Sequence, residues 1–365
     1  MTLEEVTAAA LAAAVTAARD QGLACGDPRI LSARGNLVVH LAPAPVVARV
    51  ATLTAFSRTD PFAWLRREVE VAGFAARHGG PVVPPADVSM AGLDPGPHRG
   101  AGFAVSLWAY VPARSGPDRG RAGPEATGRA LGELHLSLAG YPGELPWMAP
   151  AADQISEGLA ALERAQVLDE RRLAALRSRH GELLAVLNQA GLTHAGPNQA
   201  GPSQAGPNQA GLTHAGPSQA GPNQADLTHA GPNHAGPSQA GPNQADGPAV
   251  VLHGDAHPGN LLSTGGGDEA GWVWVDLEET SRGPREWDLA VLSGSWGSPG
   301  DAHAALAAYA AVTRTAIPPP DRLAPLRPLR DLEAAVWSVC MAYQYPARYR
   351  EVAAELLARV LADSE

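Results

Sequence analysis

The chain has 365 residues, 45% hydrophobic and 18% charged, which is length enough for one large domain or two lobes around a real core. A net charge of −10 excludes a general nucleic-acid binder, which carries a basic footprint. All 27 basic residues are arginine, which excludes any mechanism that needs a lysine, and the two cysteines, Cys25 and Cys340, do not suggest a disulfide framework.

The opening "MTLEEVTAAALAAAVTAARD" carries two early glutamates and no basic region, so it reads as an alanine-rich amphipathic helix and not as a signal peptide. No run is long enough to span a bilayer, and a cytoplasmic protein without membrane contact is expected. "NLVVHLAP" and "VVARVATL" are apolar, β-branched runs joined by Pro43-Ala44-Pro45, the pattern of a hairpin. Asp60-Pro61 is an N-cap and N1 pair. The helix after it should bury Phe62, Leu65, Val69, Ala72 and Ala76 and stop at "HGG". A further strand pair ends in "FAVSLWAYV" and closes a β-rich first part, residues 1–111.

Residues 112–187 read as helical. "GRALGELHLSL" repeats Leu131, Leu134 and Leu138, and the next long helix places Leu173, Leu176, Leu183 and Leu187 on one face. From Asn188 to Gly247 run twelve pentads of the type "NQAGP" and "SQAGP". A Pro or Gly in nearly every pentad cannot sustain a helix or central strand, and few bulky apolar residues offset the ordering entropy, so a disordered insertion is expected. Residues 248–365 hold "VVLHGDAHPGNLL", a short strand "WVWVDL", and two or three helices around "AALAAYAAV" and "LEAAVWSVCMAYQY".

The chemistry concentrates in "VVLHGDAHPGNLL". His253, Asp255 and His257 alternate, as the start of a binuclear hydrolase site would. Such a site needs more ligands, and outside the pentads only His303 follows, in an alanine-rich helical stretch. The other reading takes Asp255 with Asn260 and Asp276. In phosphoryl transfer an aspartate orients the acceptor hydroxyl, while an asparagine five residues on and an aspartate on the next strand hold the magnesium ions that bridge the phosphates.

These residues resemble the aminoglycoside phosphotransferase and choline kinase superfamily, in which "HGDAHPGN" stands for the catalytic loop and "VDLEETSRGPREWDLA" for the metal-binding strand and the segment after it. "RALGELH" and "NLVVHLAPAPVVARV" with "LRREVEVAGFAARHGGPVVPP" extend the similarity to nearly all of the chain except the pentads. The resemblance implies an α+β, protein-kinase-like fold of two lobes, with ATP and Mg2+ as cofactors and a small-molecule hydroxyl as acceptor. It makes Asp255 the catalytic base, Asn260 and Asp276 the metal ligands, His253 and His257 supports of the loop, and Asp288 the buried carboxylate that holds the loop backbone. Kinases pair a strand lysine with a helix glutamate to hold phosphates. Here the strand offers Arg49, which keeps the charge without being equivalent. Glu68 lies at the edge of the buried helix face and can reach it, while Glu70 points about 200° away, at about 100° per residue. Gly35 and Asn36 stand where backbone amides would cover the phosphates, and "LWAYV" resembles the hinge, with backbone groups of Trp108 and Tyr110 toward adenine.

The acceptor is less defined. Glu278, Glu279, Trp287, Trp296, Trp337 and Tyr343 could receive a cationic or sugar-like molecule, or could be core and rim. The missing lysine motivates an alternative, a nucleotide-binding pseudokinase without turnover, and the histidines motivate a third, a metal-dependent phosphohydrolase. No nucleic-acid partner is expected, and nothing in the sequence indicates an oligomeric state.

Overall fold

The computed structural model describes residues 3–33, 35–52, 54–112, 121–192, 249–264 and 271–362. The expectation of disorder for the pentads therefore lies outside the described residues from 193 onward.

The first lobe runs α1 (Leu3–Asp20), β1 (Cys25–Ala33), β2 (Leu37–Pro43), β3 (Val46–Val50), a short α2 (Thr54–Ser57), α3 (Pro61–Arg77), a short α4 (Ala86–Ser89), β4 (His98–Gly100) and β5 (Phe103–Ala109). The strands form one antiparallel sheet in the order β1-β2-β3-β5-β4. Along β2 the period-two pattern sends Leu37, Val39 and Leu41 inward. They meet the alanine stripe of α1, Ala10, Ala13, Ala14, Ala17 and Ala18, whose small side chains let the helix lie close to the sheet. A side chain at Gly100 on β4 would come within 3.2 Å of the Ala13 methyl.

Helix α3 starts as its sequence requires: the Asp60 carboxylate accepts from the Phe62 and Ala63 amides at 3.0 and 3.1 Å. It buries Leu65, Val69 and Ala72, and also Trp64; Phe62 and Ala76 stay half-buried. Strand β1 was not expected from the sequence. It pairs with β2 at the sheet edge, and its Ile30 and Leu31 are 46% and 51% exposed.

The second lobe runs α5 (Pro124–Ser137), a π-helical turn over Pro150–Gln154, α6 (Ile155–Arg164), α7 (Glu170–Gln189), β6 (Val250–Leu252), β7 (Leu261–Thr264), β8 (Gly271–Trp274), β9 (Ser281–Gly283), α8 (Glu286–Gly294), α9 (Pro299–Thr313), α10 (Pro320–Leu323), α11 (Leu326–Gln344) and α12 (Pro346–Ala362). Leu131, Leu134, Leu138, Leu173, Leu176, Leu183 and Leu187 share one core, as their spacing predicts. One boundary moves. Helix α7 continues through Asn188 and Gln189, and Leu192 is buried in that core, so the first pentad belongs to the folded lobe and not to an insertion beginning at Asn188. Among the described residues, no helix is long and apolar enough to cross a membrane.

Candidate active site

Two small antiparallel ribbons, β6 with β9 and β7 with β8, frame the loop from His253 to Asn260. Asp288, fully buried in the first turn of α8, fixes its entry. The carboxylate accepts from the His253 amide at 2.7 Å, the Gly254 amide at 2.9 Å and His135 Nε2 at 2.9 Å. The Trp287 indole donates to the Gly254 carbonyl at 2.8 Å. Gly254 has φ +93°, and a Cβ there would lie 2.5 Å from Glu279, so both the turn and the close approach require glycine.

Both histidines of the loop are occupied in holding it. His253 Nε2 donates to the Val275 carbonyl at 3.2 Å, and its Nδ1 accepts from the Asp255 amide at 3.3 Å. Burial pushes the His253 imidazole below its ordinary pKa, against the pull of Asp288 and Asp255. His257 Nδ1 accepts from the Gly259 amide at 2.9 Å, while Nε2 lies 3.3 Å from Asp255 Oδ2. Among the described residues there is no group of three His, Cys, Asp or Glu side chains able to hold a metal. The ring nitrogens of His253 and His257 are engaged with the loop itself, with the Val275 carbonyl and with Asp255.

Asp255, Asn260 and Asp276 come together. Asn260 Nδ2 donates to the Asp255 carbonyl at 3.0 Å and to its Oδ2 at 3.1 Å. The Val275 amide donates to the Asn260 carbonyl at 2.9 Å, which sets Asp276 beside the loop. Asp276 adopts a left-handed backbone, φ 64° and ψ 52°, a conformation that aspartate tolerates better than most residues, and its side chain is 42% exposed. The Asn260 amide nitrogen is committed to Asp255, so its oxygen can face a cation. An amide oxygen and a carboxylate form the hard, all-oxygen donor set that suits Mg2+ held jointly with substrate phosphates. Arg330 of α11 pairs with the other oxygen of Asp255 and also with Glu333, at 2.5 Å. Burial alone would raise the Asp255 carboxyl; Arg330, with His257 and His253, more than offsets it and holds the group well below the ordinary range.

On the sheet side, Arg49 of β3 pairs with Glu68 of α3, with Asp276 at 2.5 Å and with Glu278 at 2.7 Å. Glu68 is 1% exposed, whereas Glu70 faces solvent. Burial pushes Glu68 up to about 8, only partly opposed by Arg49, because Glu278 and Asp276 share the same guanidinium. The buried Asn36 amide, with its oxygen toward Arg49, accepts at 2.7 Å. Asn36 thereby acts through its side chain, while Gly35 lies 4.0 Å (from a Cβ built on it) from the Trp337 ring on α11. Trp108 is buried and donates to Ser106 Oγ at 2.8 Å. The Tyr110 amide donates to the Pro45 carbonyl at 2.9 Å and its ring stacks on His40.

Several residues of the site had no individual signal in the sequence. Arg58 lies over the Trp64 ring at 3.8 Å and 3.0 Å from Glu278; Arg67 stacks on the same ring at 4.3 Å and donates to the Glu278 carbonyl at 3.1 Å. Gln154 donates to Glu279 at 2.8 Å. The pair Glu278-Glu279 right after an apolar strand was the one visible hint. Of the aromatics, Trp287 braces the loop, Trp337 packs edge-on against Tyr349, and Tyr343 packs on Phe56.

A β-sheet lobe presenting a paired arginine, over a helical lobe presenting an Asp-Asn loop and an Asp-bearing hairpin, defines a kinase-like protein. The sequence model of the phosphotransferase enzyme family matches residues 217–326, which include both Asp255 and Asp276. No curated protein matches the chain significantly in sequence. Among solved structures, the chain resembles a choline/ethanolamine kinase family protein from Mesorhizobium loti, with 19% identity, a TM-score of 0.53, and coverage of 99% of this chain and 94% of that one. An aminoglycoside-3'-phosphotransferase of type VIII shares 20% identity at a TM-score of 0.50, over 88% and 97% of the two chains. A choline kinase from Streptococcus pneumoniae shares 12% at 0.54, over 94% and 98%. The chain thus has the kinase-like fold of these structures, and its residues 217–326 match the phosphotransferase enzyme family.

Proposed function

We propose that the protein is an ATP- and Mg2+-dependent kinase that phosphorylates a hydroxyl of a small molecule. The observation that carries this reading is the lock between Asn260 and both aspartates: side-chain bonds to Asp255 on one side, the Val275 amide bond next to Asp276 on the other. Asp255 orients the acceptor hydroxyl. The hydroxyl oxygen bonds to the terminal phosphorus as the bond from that phosphorus to ADP breaks. The low pKa of Asp255 suits a residue that aligns the hydroxyl and passes its proton on to water late in the transfer. Asn260 and Asp276 would hold Mg2+, which neutralises charge on the phosphates. Arg49, steadied by Glu68, would bind those phosphates; Asp288, His253 and His257 keep the loop in shape. The backbone beside Trp108 and Tyr110 would meet the base; Pro45, opposite Tyr110, has no N–H to occupy the Tyr110 carbonyl.

Asp255→Ala should abolish acceptor-dependent ATP turnover while nucleotide binding, read by calorimetry, persists. Full turnover in that variant would sink the assignment. One observation favours a second reading, a nucleotide binder without turnover: Arg49 is engaged by three carboxylates, so phosphate must displace Asp276 or Glu278 from it. ATP binding without Mg2+-dependent turnover across a panel of aminoglycosides, amino alcohols and sugars would favour that reading.

A further inference from the structure

Beside Asp255 the helical lobe opens a cavity of about 860 Å3, the size of a site for a drug-sized molecule. Its walls are the α8–α9 corner, α9, the segment 317–323 and one face of α11. His257 and Arg330 are part of its lining, and both touch Asp255. A hydroxyl placed at Asp255 therefore carries its skeleton into this space.

The lining does not suit a cationic skeleton. Trp296, Leu306, Ile317 and Leu323 make it largely apolar. Its charged residues are Arg327, Arg330 and Asp331, and Asp331 is paired with Arg359 at 3.6 Å. The acids around Arg330, namely Asp255, Glu279 and Glu333, are already bound to that guanidinium. Arg327 differs. It is exposed, has no ion pair among the described residues, and stands on α11 one turn before Arg330, about 4.5 Å along the helix axis. A polyamine in this cavity would meet two guanidiniums and one carboxylate, Asp331, shared with Arg359, whereas an anionic group would find Arg327 without an ion pair among the described residues.

We propose that this cavity is the acceptor site and that its acceptor is an apolar hydroxy acid. The hydroxyl lies at Asp255, the hydrocarbon skeleton against Trp296 and Leu306, and the carboxylate on Arg327. This narrows the kinase reading and rests on it.

The full chain, with ATP and Mg2+, is assayed on cholate, cholate methyl ester, choline and kanamycin. Cholate should be phosphorylated with a kcat/KM about tenfold above that of its ester, the scale of one charge-assisted hydrogen bond, and choline and kanamycin should fall below both. Arg327→Ala should bring the acid-to-ester ratio close to one, chiefly through KM for the acid, and Arg327→Glu should reverse it. Preference for choline or kanamycin, or a ratio that Arg327 variants do not move, overturns the inference and leaves the kinase reading standing. Absence of turnover on every acceptor counts against the kinase reading, and binding then decides the inference separately. Cholate should change tryptophan fluorescence in the wild-type chain and not in Trp296→Phe; no change in the wild-type chain overturns it.

Discussion

Two arginines near the loop from His253 to Asn260, Arg49 buried and Arg330 half-buried, each meet three carboxylates. Arg49 binds Glu68, Asp276 and Glu278; Arg330 binds Asp255, Glu279 and Glu333. Their connections differ. Arg49 sits on β3 and joins the sheet lobe to the hairpin of the helical lobe, so its partners belong to two lobes. Arg330 sits on α11, and all of its partners lie within the helical lobe. The first cluster bridges two lobes, whereas the second lies within one lobe and holds the Asp255 carboxyl low. On the proposed reading, nucleotide would meet the Arg49 cluster and acceptor the Arg330 cluster, and the two should differ in tolerance for change.

The sharpest way to break this contrast is Asp276→Ala. If Asp276 serves the metal, turnover should fall on the order of a thousandfold, the scale for loss of one electrostatic stabiliser of a transition state. The fold should hold, because Arg49 keeps Glu68 and Glu278. Steady-state kinetics against Mg2+ concentration, with a thermal melt alongside, checks both halves. Activity within tenfold of wild type would remove Asp276 from the chemistry.

Arg330→Gln probes the other cluster. Loss of the guanidinium leaves Asp255, Glu279 and Glu333 facing one another, and removing one partner of a buried ion pair costs about 3 kcal/mol or more. Burial and the like charges of Glu333 and Asp255 already push Glu279 well above the ordinary carboxyl range. Without Arg330 the Asp255 carboxyl should also rise, moving the acid limb of the kcat/KM profile to higher pH. An unchanged acid limb would show that Arg330 does not control Asp255.

What the sequence made legible follows the same division. Helix α3 and the leucines of α7 were readable because burial on one face imposes a period of 3.6, and the β2–β3 hairpin because β-branched runs flank a proline turn. The loop was readable because Asp255, Asn260 and Asp276 sit at a spacing that phosphoryl transfer needs. Strand β1 was not, because an edge strand carrying Asp27, Pro28 and Arg29 buries neither face and shows no alternation. Arg58 and Arg330 were invisible for another reason. An arginine drawn out of solvent is tolerated through its partners, and Glu278 for Arg58, with Asp255 and Glu279 for Arg330, lie far away along the chain. Glu278 and Glu279 look like rim residues in sequence, yet both are buried. The Tyr110 amide is bound to the Pro45 carbonyl, a backbone bond that no side-chain pattern encodes.

The smallest expected effect concerns the pH dependence of the Arg49 cluster. Glu68 has an ordinary value of 4.5 and is pushed up to about 8 in the folded protein, first by burial and then by Glu278 and Asp276, which compete with it for Arg49. The folded chain therefore binds the Glu68 proton more tightly than the unfolded chain does. Its contribution to stability is complete below pH 4.5 and is lost as pH rises through about 8. Asp255 acts with the opposite sign: its depressed carboxyl contributes stability above the ordinary 3.8, and this is lost as pH falls through the folded value. The melting temperature of the nucleotide-free protein should thus decline between about pH 5 and 8. In Glu68→Gln that decline should be shallower, because the amide carries no proton to lose and still accepts from Arg49. A variant with the same slope as wild type would mean that Glu68 is fully ionised beside Arg49, and that the surplus negative charge resides on Asp276 or Glu278, the two groups that phosphate must displace.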